Sequence, residues 1–185
     1  GEEVQMKSGI SFVSMEGAKE NLEHDIPHWD FDKVVNDNRS LWSDALSKVN
    51  VTGGTDDDKT IFYTAMYHTM VDPRNFSDVN GNYIGADKQI HVAKDFTYRT
   101  VFSGWDVFRS QFPLQTLINP TLVNDEINSL IQMAELSGRK SFPRWEMVNA
   151  YSDVMIGNPA VSVIVDAYEK GIRKFDSKKA FELGA

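Results

Sequence analysis

The sequence predicts an all-α fold that carries a short β-insert, with its helices paired into a bundle or toroid. Three observations predict it. Apolar residues recur at three- and four-residue steps in six segments and begin to do so in a seventh. Between Arg74 and Ser103 that pattern gives way to turn signals and short β-prone runs. The helical segments are separated by Asp72-Pro73, Asn119-Pro120 and Asn158-Pro159, with no fixed repeat period of the kind a consensus solenoid shows.

The first segment, Val4 to Val13, alternates apolar and polar residues around Gly9 and reads as a strand. Ser14 then serves as an N-cap for a helix to about Asp25, stopped by Pro27. Asp30 opens the cleanest amphipathic pattern, with Phe31, Val34, Val35, Leu41, Trp42, Ala45, Leu46 and Val49 on one side. After a Gly53-Gly54 loop, Asp56-Asp57-Asp58 starts a helix to about Val71, the three carboxylates serving the helix dipole. This helix is apolar on most sides, through Ile61, Phe62, Ala65, Met66 and Met70, which predicts burial. Asn80-Gly81 and Gly85 to Lys88 are turns in the β-insert, flanking strands at Gln89–Val92 and Thr97–Val101. A helix from about Trp105 runs through Leu117, kinked or split by Pro113, and the next spans Val123 to Ala134 before Gly138. A long connection, 139–157, leads to Asn158-Pro159, an N-cap with Pro at the first helical position. Val161, Ile164, Val165, Tyr168 and Ile172 predict the buried stripe of that helix, and a last helix starts near Asp176.

Composition excludes several classes of function. The 185 residues carry a net charge of −8 with no basic cluster, which argues against nucleic acid and anionic membranes as partners. No apolar run is long enough to span a bilayer. Cysteine is absent, so disulfides and thiolate metal sites are excluded. The acidic start, Gly1-Glu2-Glu3-Val4, is no signal peptide and lacks Met, so a processed product or an excised piece is expected.

Familiar motifs fail on inspection. Asp78-Val79-Asn80-Gly81-Asn82 resembles the start of a calcium loop, but Tyr83 stands where Gly is needed and Gln89 where the closing Glu belongs. His24 and His28 have metal-ligand spacing but are separated by Pro27, and His68 reads as a hydrogen-bonded core residue. Asn38, Asn50 and Asn75 begin Asn-x-Ser/Thr sequons, of which Asn38 lies in mid-helix. There is no P-loop, nucleophile elbow or dinucleotide fingerprint. What remains is a group of aromatic and polar residues on connections: Trp105, Asp106, Arg109, Arg144, Trp145, Glu146, Tyr151 and Asp153. A carboxylate beside an indole suits a sugar, whose C–H face packs on the ring while its hydroxyls donate to the carboxylate. The same Asp106 also reads as a helix cap beside a core Trp, and Arg144 as the anchor of its loop.

Many ordered blocks resemble one family. They include Gly9-Ile10-Ser11-Phe12-Val13-Ser14, Phe62 to Thr69, Phe76-Ser77-Asp78-Val79-Asn80-Gly81, Phe102 to Phe112, Met133-Ala134-Glu135, Pro143-Arg144-Trp145 and Gly157-Asn158-Pro159-Ala160-Val161. Together they resemble glycoside hydrolase family ninety-two, the calcium-dependent exo-α-mannosidases. The resemblance implies a β-sandwich followed by an (α/α)6 barrel: residues 1–14 would be the tail of the sandwich or a linker, and 15–185 the first half of the barrel, a partial toroid of helical hairpins. It implies inverting release of terminal α-mannose, α-1,2-linked, with acid and base about 6.5–9.5 Å apart to admit a water. The catalytic acid and base, and most of the calcium ligands, are expected beyond this chain, so no catalytic or metal residue is assigned within it. What carries over is sugar binding by Asp106, Trp105 and Arg144. The implied partners are mannose-containing glycans and the remainder of the same catalytic domain, and the implied location is the bacterial periplasm or outside the cell. Two alternatives stay open: a metal-free α-glucosidase or trehalase-like (α/α)6 enzyme, and a non-enzymatic helical carbohydrate-binding or scaffold module.

Overall fold

The computed structural model describes residues 2–185. Among them are eight helices and three two-stranded antiparallel sheets. The helices are α1 (Met15–Asp25), α2 (Phe31–Leu46), α3 (Asp56–His68), α4 (Gly104–Val107), α5 (Gln111–Ile118), α6 (Pro120–Leu136), α7 (Pro159–Glu169) and α8 (Ser177–Gly184). The strands are β1 (Arg74–Asn75), β2 (Asn82–Ile84), β3 (Ile90–Val92), β4 (Arg99–Thr100), β5 (Glu146–Met147) and β6 (Ala150–Tyr151). The all-α reading with a β-insert therefore holds.

The core is built around α6. Val123, Ile127, Leu130, Ile131, Met133 and Ala134 are all buried, and α5, α7, α8 and β4 pack against this helix. Its start is set by Pro120, which needs no N–H at the first helical position, and its end by Gly138 at φ +73°. The insert contains the two expected strands as β3 and β4, together with β1 and β2, which the sequence does not mark; β1 pairs with β4, and β2 with β3 through the Gly85–Lys88 turn. Tyr83 and Tyr98 stack at 3.8 Å between ring centroids, which carries the insert into the core.

Caps appear where a side-chain oxygen can reach an orphan N–H. The expected Ser14, Asp30 and Asp176 accept from the backbone N–H groups of Gly17, Lys33 and Lys179, and Thr55, which the sequence places in a loop, accepts from that of Asp58. Asn158 stands at the N-cap position of α7 but makes no capping bond.

Several expectations need correction. Residues 4–13 are not a strand; no neighbouring strand offers a ladder there, and side chains hold the segment instead. Lys7 Nζ donates to the carbonyls of Ile26 and His28, and Asn21 Nδ2 to that of Ile10. The helix expected from Trp105, kinked or split by Pro113, is two helices, but the break falls at 108–110, before Pro113. Pro113 sits in the first turn of α5, where a missing N–H costs nothing. The connection 139–157 holds a β5–β6 hairpin. On α7, Val165 and Tyr168 face outward while Ala160, Val163, Ile164 and Ala167 are buried. The helix expected to be buried, α3, buries only Met66, and Ile61 is 68% exposed. His68 is exposed too, so it is not a core residue. α3 meets α2 through Trp42 and Tyr67, whose rings lie 4.5 Å apart.

The calcium-loop look-alike has a structural use. The Asp78 carboxylate is buried and accepts from Ser11 Oγ and Asn21 Nδ2, both at 2.8 Å, tying the N-terminal arm and α1 to the turn before β2. Gly17 makes room for it, because a Cβ there would lie 2.3 Å from Asp78 Oδ2. Gly17→Ala is therefore expected to loosen this junction, at a cost of about 1–2 kcal/mol. Limited proteolysis should then cut the arm faster than in wild type; unchanged cleavage would show that the junction tolerates the methyl group.

Candidate functional site

The two blocks that carry the candidate residues, 102–106 and 143–146, are brought together by the backbone. Phe102 and Glu146 form an antiparallel bridge in which the Glu146 N–H donates to the Phe102 carbonyl at 2.9 Å. Next to it, the Trp105 N–H donates to the Arg144 carbonyl at 3.2 Å. Gly104 permits the approach, since a Cβ there would meet both Arg144 O and Pro159 Cγ at 3.1 Å.

Glu146, which the sequence places on a connection with the other candidate residues, is fully buried. Its carboxylate accepts from Thr100 Oγ1 at 2.6 Å, Val101 N at 2.9 Å, Phe102 N at 3.3 Å and the N–H of Asn149. Burial pushes its pKa above the ordinary range while these donors pull it down. The last donor belongs to the β5–β6 turn, where Val148 and Asn149 have φ of 51° and 66°. Asn149 also accepts from the Tyr98 hydroxyl at 2.5 Å and donates to the Ile84 carbonyl at 2.7 Å. One carboxylate and one amide thus join β4, the approach to α4, the hairpin and the insert.

Above this base lies Asp106. It is not a helix cap: Ser103 stands at the N-cap of α4 and makes no capping bond through its side chain. Instead the Ser103 hydroxyl donates to Asp106 Oδ2, and Trp145 Nε1 donates to Ser103 Oγ at 2.7 Å. Asp106 itself is exposed, and Trp105 is half-buried beside it. The Arg109 guanidinium sits 5.4 Å from the Trp105 ring centroid and 5.0 Å from that of Phe108, so it occupies one side of the indole. Trp105, Phe108 and Arg109 line a hollow of about 340 Å³ closed by Ile156–Pro159 and Ser162. Asp106 and Arg144 border the same loops without lining that hollow.

Arg144 is committed to its loop. Its two terminal nitrogens donate to the Met155 carbonyl at 2.8 Å and the Asp153 carbonyl at 3.2 Å, leaving three donors. Asp153 pairs bidentately with Arg139, which holds its carboxyl below the usual range, and the Arg139 guanidinium lies over Tyr151. The sequence marks Trp105, Asp106, Arg144 and Trp145 as polar and aromatic residues on connections, and does not single out Ser103, which stands three residues before Asp106. No three carboxylate or imidazole groups among the described residues converge as a metal site would need.

Chemically, the arrangement offers a carboxylate fixed on one oxygen, an indole edge and spare guanidinium donors on adjacent loops. That set accepts and donates hydrogen bonds to vicinal hydroxyls while packing on a ring's C–H face.

The chain is similar to several known glycosidases. The structure superposes on a family GH92 alpha-mannosidase of Bacteroides thetaiotaomicron with a TM-score of 0.88 and 34% identity, covering 94% of this chain and 23% of that one. A structure of that enzyme in complex with mannoimidazole matches with the same TM-score and identity, over 94% of this chain and 22% of that one. A family GH92 inverting mannosidase from Bacteroides thetaiotaomicron VPI-5482 matches with a TM-score of 0.86 and 32% identity, over 94% and 23% of the two chains. An uncharacterized secreted glycosidase of Arthroderma benhamiae is 32% identical over 81 residues, 42% of this chain and 10% of that protein. This chain thus spans less than a quarter of the length of these relatives, at most 23%. The Glycosyl hydrolase family 92 catalytic domain matches residues 17–184, nearly the whole sequence, and the chain belongs to that family.

Proposed function

We propose that this chain contributes part of the terminal-sugar pocket of an exo-acting α-mannosidase, as a segment of a larger catalytic domain. The observation that carries the reading is the match over 94% of the chain to alpha-mannosidases of the family, one of them in complex with mannoimidazole. Residues 15–185 would form the first half of an (α/α)6 barrel, and 1–14 the tail of a preceding β-sandwich or a linker. Exposed apolar side chains support further helices packing on these, among them Leu117 on α5 and Phe181 on α8, at 73% and 77% exposure. Secretion or periplasmic export is supported by the secreted fungal relative, and no helix of the described residues is long and apolar enough to cross a membrane.

In this reading Asp106 accepts hydrogen bonds from hydroxyls of the terminal mannose, Trp105 packs against the ring, and Arg144 keeps the 153–155 loop in place while its free donors face the sugar. Acid and base lie outside this chain. Inversion, by analogy with the related inverting mannosidase, requires a water between base and sugar. Calcium, when bound, would stabilise charge at the reacting carbon and hold sugar hydroxyls, with its ligands outside this segment. The α-1,2 preference belongs to the proposal as well.

The full-length protein should release mannose from α-1,2-mannobiose as the β-anomer, seen by NMR within the first turnovers, and lose activity with chelator. Release of the α-anomer would contradict inversion. Activity that survives chelation would remove calcium. Faster cleavage of an α-glucoside would move the protein to a metal-free glucosidase chemistry.

A further inference from the structure

We infer that Ser103 and Trp145 are positioning residues that fix which oxygen of Asp106 is offered to the sugar. The inference rests on the sugar-binding reading above.

An indole N–H can only donate. Trp145 Nε1 lies 2.7 Å from Ser103 Oγ, so the hydroxyl must be the acceptor there. Its single proton is then directed away from the indole, and the Asp106 Oδ2 atom is the acceptor within reach. A hydroxyl alone could rotate to accept from a ligand or a water. With Trp145 donating to it, its polarity is set. Asp106 Oδ2 is thereby engaged, while Oδ1 takes part in no hydrogen bond within the described residues, on a side chain open to solvent. The indole cannot drift, because the backbone on either side of it is pinned. The Arg144 carbonyl accepts from Trp105 N–H, and the Glu146 N–H donates to Phe102 O.

The relay therefore runs from the 143–146 loop through Ser103 to the carboxylate on α4. It orders the Asp106 rotamer before any ligand arrives, which is the preorganisation that tight, selective hydroxyl recognition needs. Ser103 occupies the N-cap position of α4, yet its hydroxyl makes no capping bond and is turned to Trp145 and Asp106 instead.

The test uses the full-length protein and compares kcat and KM on α-1,2-mannobiose. Asp106→Asn should lower kcat/KM about a hundredfold, and Ser103→Ala about tenfold, by loss of a bond to a charged group. Trp145→Phe keeps an aromatic ring but removes the donor, and should cost about threefold or more. Ser103→Thr should stay within about threefold of wild type, since it restores the hydroxyl. Adding Ser103→Ala to Asp106→Asn should cost nothing further, because the serine acts only through the aspartate. Melting temperatures within about 3 °C of wild type would separate positioning from unfolding.

Wild-type kinetics in Ser103→Ala and Trp145→Phe, with Asp106→Asn impaired, would overturn the relay and leave Asp106 as a sugar ligand. An additive loss in the double variant would overturn it equally. Wild-type kinetics in Asp106→Asn would instead sink the sugar-binding reading itself, and the relay with it.

Discussion

Replacing Glu146 with alanine is expected to cost the protein on the order of 4 kcal/mol and to abolish activity. The magnitude follows from what the carboxylate does. It accepts from Thr100, Val101, Phe102 and Asn149, three of them through backbone N–H groups. Truncation leaves these donors unpaired around a cavity, and each such buried donor costs about 1–3 kcal/mol. Glu146→Gln is expected to be nearly as damaging, because one end of the amide donates and would face N–H groups with another N–H. Glu146→Asp keeps the charge but falls short of the β5–β6 turn. Chemical denaturation, read alongside hydrogen exchange at Val101 and Phe102, checks this. Rapid exchange confined to those amides and to Asn149 is the expected signature, whereas stability within about 1 kcal/mol of wild type would mean that the network is replaceable.

The second large effect concerns Glu126 on α6. It is 1% exposed, its Oε2 has no hydrogen-bond partner among the described residues, and burial pushes its pKa from 4.5 to about 8, with Arg99 opposing and Asp125 adding to the rise. The folded chain therefore holds a proton here that the unfolded chain releases between those two values. Fewer protons on the unfolded state mean that stability falls as pH rises through that window, by up to about 1.4 kcal/mol per pH unit from this group alone. Below the ordinary glutamate value the contribution is fully present, and above about 8 it is lost. Glu126→Gln fixes the neutral form and removes this slope. Its melting temperature should exceed that of wild type by a margin that grows from pH 5 to pH 8 or so. Parallel curves for the two proteins over that range would show that Glu126 is ionised and paired when folded.

Much of the fold was legible because local rules and tertiary packing agree. Ser14, Asp30 and Asp176 cap helices that begin where they say, and the apolar spacing of Val123 to Ala134 marks the helix that the core surrounds. The misreadings fall where a distant contact decides. The β5–β6 hairpin lacks an Asn-Gly turn, and Val148 takes a positive φ that few β-branched residues adopt; its closing contact is a carboxylate anchored across the fold by Thr100 and Phe102. Residues 4–13 alternate as a strand does, yet alternation cannot supply a partner strand. α3 is apolar on sides that nothing among the described residues covers.

The candidate site was legible in part for the same reason. Trp105 and Asp106 follow Gly104, which signals the bend, and Arg144 and Trp145 stand in a block of their own. That the two blocks touch, that Glu146 supports them from below, and that Ser103 stands between Trp145 and Asp106 are facts of packing. Spacing along the chain carries no trace of them except the Ser103-x-x-Asp106 interval.

A crystal structure of the full-length protein bound to mannoimidazole, the compound seen with a related alpha-mannosidase, decides whether Asp106 holds the sugar. A hydroxyl of the inhibitor is expected about 2.5–3.0 Å from Asp106 Oδ1, with Ser103 still bonded to Oδ2. An inhibitor seated with no polar atom within about 6 Å of Asp106 would contradict it.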